Sequence, residues 1–214
     1  MSTLPAMRIK SRWFKPGETH DAAEQAGVMA FIVWRVSHQM LKRMRGADFD
    51  IDAGPAYFAF MREVLVFLVA VTDRMAHQRL DEQGRHDFTV ALVRHLVRTY
   101  DENLTELYGA PRSGEPDWGD ALLDQINEVV AHYAEFGADP HVDARAGFTP
   151  DFGFVRYLGR RLEPVVPEKD RLWVIDQVMA IEVPEALDIV QRSMHELWDP
   201  TPRPVRRRAG MSGE

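Results

Sequence analysis

The best metal candidates in this chain are carboxylate and imidazole side chains four residues apart. Asp73 and His77 stand four residues apart, and so do Glu128 and His132. On an α-helix, positions i and i+4 lie one above the other, so each pair can aim a carboxylate and an imidazole at one ion. Together they offer two carboxylates and two imidazoles, the donors a di-metal site in a helical bundle needs. Glu24 and Glu63 would complete such a site if they faced the same cavity as Asp73, His77 and His132. Three features argue against it. Carboxylate–His pairs at this spacing are ordinary on solvated helix faces. Glu128 lies opposite the apolar stripe of its helix, and only His132 borders that stripe. The Glu-x-x-His spacing of di-metal bundles is absent. The expectation is no metal and no cofactor, with a di-metal site as the main alternative.

Other chemistry-bearing residues are weaker still. His95 falls on the inner stripe of its helix beside Phe88, Leu92 and Leu96. A lone histidine there is expected to be a neutral core residue with one hydrogen bond. His20, Glu24, Arg35, His38 and Lys42 share one face of the first helix, which reads as solvated. The alternative is a charged groove in which Arg35 pairs with Glu63. Ser37 and Ser193 sit inside helices, and no G-x-S-x-G elbow, phosphate loop or dinucleotide-binding glycine motif occurs.

The whole chain narrows the classes further. It has 214 residues, 45% of them hydrophobic and 28% charged, as in an ordinary globular protein. It has no cysteine, which removes disulfides, zinc ribbons, iron–sulfur clusters and thiol nucleophiles and agrees with a cytoplasmic setting. A net charge of −7 disfavours a broad nucleic-acid footprint, which needs clustered positive charge. Its one basic cluster, Arg206-Arg207-Arg208, lies near the C-terminus.

The most apolar stretch, Val64 to Val71 between Glu63 and Asp73, raises the question of a membrane span. About 20 apolar residues are needed to cross a bilayer, and eight rise only about 12 Å. Extending it toward the N-terminus meets Arg62 and Glu63, each costing about 2.5–3.5 kcal/mol near the bilayer centre. A core helix is the expectation, with Phe58, Met61, Leu65, Leu68, Thr72 and Met75 on one face. No membrane span is expected.

The elements that must position these residues are helices throughout. Periodic apolar stripes predict an all-α helical bundle of six or seven helices. Four long helices fall at about 20–45, 56–80, 85–108 and 117–136, with Thr19 or Asp21 capping the first. Shorter ones follow at about 151–162, 168–181 and from Pro184 to Trp198. Leu104 and Leu107 extend the inner stripe of the third helix. Residues 1–199 are expected to form one helical domain, with 20–136 as the long-helix bundle and 151–198 packed on it. Trp13 and Phe14 lie outside helical periodicity in an irregular lead-in. Residues 200–214, rich in proline and arginine, are expected to be mobile.

Missing catalytic motifs and apolarity around the first two helices point to a non-enzymatic interaction protein: an assembly factor, adaptor or regulatory partner. The alternative is a helical-bundle enzyme or binding protein with a buried metal or apolar ligand. The expected partner is another protein or a second copy of the chain. The reverse face of the second helix, Val66, Ala70 and Arg74, is the candidate interface, because nothing in the sequence obviously covers it.

Overall fold

The computed structural model describes residues 20–114, 116–142 and 147–199. The lead-in aromatics Trp13 and Phe14, the alternative cap Thr19 and the tail 200–214 lie outside these residues. The fold is an all-α helical bundle.

Helix α1 spans Ala22–Gly46. It starts where it does because Asp21 and Glu24 cap each other: Asp21 Oδ1 accepts from the Glu24 amide at 2.7 Å, and the Glu24 carboxylate accepts from the Asp21 amide. Helix α2, Pro55–Arg79, opens with proline at its first turn, where a missing N–H costs nothing. Helix α3, Glu82–Tyr108, begins three residues before the expected 85 because Asp81 accepts from the Gly84 amide at 2.8 Å. Helix α4 is Trp118–Tyr133 and stops three residues short of the expected 136.

Helix α2 forms the middle of the bundle. Every residue from Val64 to Thr72 is buried, and α1, α3, α4 and α5 all pack against the helix. It is long and apolar enough to cross a membrane, yet 67% of its most apolar window lies inside the protein. Thr72 fits this interior because its hydroxyl donates to the Leu68 carbonyl at 2.8 Å.

The loop after α4 turns back on itself. The Asp139 amide donates to the Thr149 carbonyl at 2.9 Å, and the Asp151 amide to the Gly137 carbonyl at 3.1 Å. Asp151 then caps helix α5, Phe152–Leu162, accepting from the Phe154 amide at 2.8 Å. The remainder is one unbroken helical run. A 3-10 turn at Glu168–Asp170 leads into α6, Arg171–Gln177. A π turn at Val178–Glu182 leads into α7, Val183–Trp198. Pro184 lies in the first turn of α7, directly after the π turn, where the wider register already departs from the α-helical ladder that a proline would interrupt. α5 lies closely on α6: a Cβ at Gly159 would stand 3.1 Å from the Ile175 Cα. α7 closes the bundle against α1.

Leu107 and Phe31 both stand outside the core, Leu107 against the expectation of its stripe. Leu107 is exposed in the last turn of α3, beyond the reach of the core. Phe31 is also exposed, with the Arg35 guanidinium over its ring, 5.6 Å from the centroid.

Candidate functional surface

The six metal candidates are distributed over separate surroundings. Asp73 faces α3, where Arg85 Nε donates to its Oδ1 at 3.0 Å and the Thr89 hydroxyl at 2.8 Å. These bonds occupy the carboxylate that a metal would need. His77 is exposed, with its Nδ1 3.5 Å from Arg85 Nη1. Glu24 caps α1 and meets His20 Nδ1 at 3.1 Å. Glu128 and His132 are both exposed on α4, and the His132 ring lies 6.1 Å from that of Tyr157. Among the described residues no three metal-ligating side chains converge.

Glu63 does not pair with Arg35. It turns toward α5, where Arg161 donates from Nε to Oε2 at 2.9 Å and from Nη2 to Oε1 at 2.8 Å. Burial pushes the Glu63 carboxyl above its ordinary range, and the Arg161 guanidinium pulls it partly back. Burial also pushes the phenol of neighbouring Tyr133 well up, helped by the negative charge of Glu63. The alternative for this face of α1, a charged groove, is therefore not formed by Arg35 and Glu63.

The interface candidates are covered within the chain. Val66 is fully buried and Ala70 is 4% exposed. The reason is the short second half of the chain: α4 and α5 lie against the reverse face of α2. Arg74 also points inward. Its Nη2 donates to the carbonyls of Ala134 and Phe136 at 3.2 and 3.1 Å, satisfying acceptors at the end of α4. The face carried by Val66, Ala70 and Arg74 is therefore a packed interior, not a docking surface.

His95 is half-buried between α3 and α1, with Arg98 Nη2 3.0 Å from its Nδ1. Its ring fills the notch left by Gly27, where an added Cβ would stand 3.3 Å from Nε2. On the polar line of α1, His38 is hydrogen-bonded to the Tyr57 hydroxyl, and burial lowers its pKa. Arg35 and Lys42 are exposed as expected of a solvated face.

Glu182 in the π turn is fully buried. It accepts from Arg43 Nε at 2.9 Å and from Gln177 Nε2 at 3.0 Å. Burial raises its pKa, against the pull of Arg43. This pair ties the π turn to the C-terminal half of α1. A shallow cleft of about 670 Å³ lies between α2 and α3, lined by Asp73, Glu82, Arg85, His86 and Thr89.

Among the described residues, Phe31 and Phe152 are exposed singly, whereas the outside of α6 exposes two large apolar side chains next to each other. Leu172 is 84% exposed and Trp173 is 65% exposed. Ile181 on the following π turn is also exposed. Periodicity alone passed over this region, though the run Leu172-Trp173-Val174-Ile175 held a signal. Four apolar residues in succession on a helix span every direction around it, so some face outward unless the helix is enclosed. Val174 takes the core position, and Ile175 takes the contact with Gly159.

No protein-family model matches the sequence, and no curated protein or solved structure matches it significantly.

Proposed function

We propose that the chain is a non-enzymatic helical interaction protein, acting as an assembly factor, adaptor or regulatory partner, and that it docks a protein on the outer face of α6. The observation that carries this reading is the adjacent exposure of Leu172 and Trp173. Large side chains of this kind gain about 1.5–3 kcal/mol each on full burial, and Trp is enriched among residues that dominate binding energy. The polar clusters support the same reading. Asp73, Glu63 and Glu182 are each held by an arginine of the chain itself, so none is a free acid, base or ligand. A buried metal site would need such groups to converge, and they stand on different helix pairs.

The test is partner capture by the full chain and by Leu172→Glu and Trp173→Glu variants. Both positions are exposed, so melting temperatures should match the wild type while capture is lost. Capture that survives both substitutions would remove α6 as the docking face.

A further inference from the structure

On the reading that α6 is the docking face, we propose that its occupant is the α6 face of a second copy of this chain, packed antiparallel about a two-fold axis between Leu172 and Trp173.

The argument starts from spacing. Lys169, Leu172, Trp173, Asp176 and Ala180 are all exposed and stand at i, i+3, i+4, i+7 and i+11. That spacing puts them on one face of a continuous helical run, beginning in the 3-10 turn and ending in the π turn. The apolar pair is therefore flanked by a cation on the N-terminal side and an anion on the C-terminal side.

Such a face is complementary to itself. A two-fold axis between residues 172 and 173 sets Leu172 of one copy against Trp173 of the other. The same operation sets Lys169 of each copy opposite Asp176 of the other, about 5 Å along the helix from the axis at 1.5 Å per residue. Isologous contacts are built in this way, with every attractive pair formed twice. Parallel packing of the same two faces would instead set Lys169 against Lys169 and Asp176 against Asp176.

Charge also selects this occupant over others. Nucleic acid and anionic lipid surfaces require a surplus of positive charge, and this stripe carries one cation and one anion. The chain has a net charge of −7, so two copies repel each other in general. A face that is locally balanced is where they can approach. Lys169 already has one neighbour, Asp50 Oδ2 at 3.4 Å. Both partners of that pair are well exposed, where an ion pair contributes little, so it does not prevent Lys169 from meeting a second carboxylate.

Light scattering and sedimentation on the full chain, from low micromolar to the highest soluble concentration, provide the test. The wild type should reach a dimer mass. Trp173→Glu should be monomeric throughout, with the melting temperature of the wild type when both are compared at concentrations too low for dimerisation. Asp176→Lys and Lys169→Glu should each weaken the dimer about tenfold, since every substitution acts twice across the axis. The double variant Lys169→Glu/Asp176→Lys should regain most of the lost affinity, because the reversed charges again face opposite partners. A wild type that stays monomeric, a dimer that persists in Trp173→Glu, or a double variant no tighter than the singles would each overturn the proposal. If the wild type is a monomer but a photo-crosslinker at position 172 still captures a different protein, the docking face stands and only self-pairing fails. If that crosslinker captures nothing, both fail.

Discussion

Arg161 on α5 holds Glu63 on α2 at two points, with Nε and Nη2 donating to the two carboxylate oxygens at 2.9 and 2.8 Å. The fork joins the short fifth helix to the central one beside the packing of Phe67 on Phe154. With α4, helix α5 covers the reverse face of α2, which makes Val66 and Ala70 interior residues. Arg161→Ala should destabilise the protein by about 1–3 kcal/mol, because a partly buried carboxylate is left without its donor. Arg161→Lys should recover only part, since an ammonium cannot reproduce the two-point geometry. Denaturant midpoints of the three proteins check this, and equal midpoints would contradict it.

The buried glutamates give the protein a pH dependence with a definite sign. Burial raises both Glu63 and Glu182 above the ordinary value of 4.5. A raised folded-state pKa means that the unfolded chain releases its proton first as pH rises. The stability contributed by these two groups is therefore full below their unfolded pKa and is lost as pH rises through the folded values. Urea midpoints from about pH 4 to about pH 7 should show the wild type losing stability relative to Glu182→Gln as pH increases, with the same trend for Glu63→Gln. Any constant cost of losing the arginine bond leaves this slope unaffected. A wild type that gains on both variants with rising pH would contradict the assignment.

Ala70 distinguishes a packed interior from an interface. It is 4% exposed within the single chain. Ala70→Arg should therefore cost about 4 kcal/mol or more by forcing an unpaired charge into the core. The readout is a large loss of melting temperature or failure to accumulate as folded protein. A variant that melts like the wild type would return this face to the surface.

The long helices were legible because their apolar residues recur with the helical period. Phe88, Leu92, Leu96, Tyr100 and Leu104 all prove buried on α3, and Asp21 proves to be the cap of α1. What could not be read was which helix covers which. The sequence suggests Arg35 as a partner for Glu63, and nothing local says that Arg161 lies nearer. The reverse face of α2 looked bare for the same reason, since its cover arrives from α4 and α5. Leu107 has the right period but lies past the end of the core, where periodicity alone gives no warning. The π turn was equally hidden, because the contact that buries Glu182 against Arg43 is made across the fold. The candidate surface on α6 was missed because four successive apolar residues have no period to follow.

The outer face of α6 as the docking surface is tested most directly by site-specific photo-crosslinking of the full chain in its native cells. One version carries the photoreactive residue at Leu172, and a control carries it at Phe31, which is exposed on α1. The account predicts a discrete protein adduct from position 172, at twice the mass of the chain, and none from position 31. No adduct at 172, or equal adducts at both positions, would contradict it.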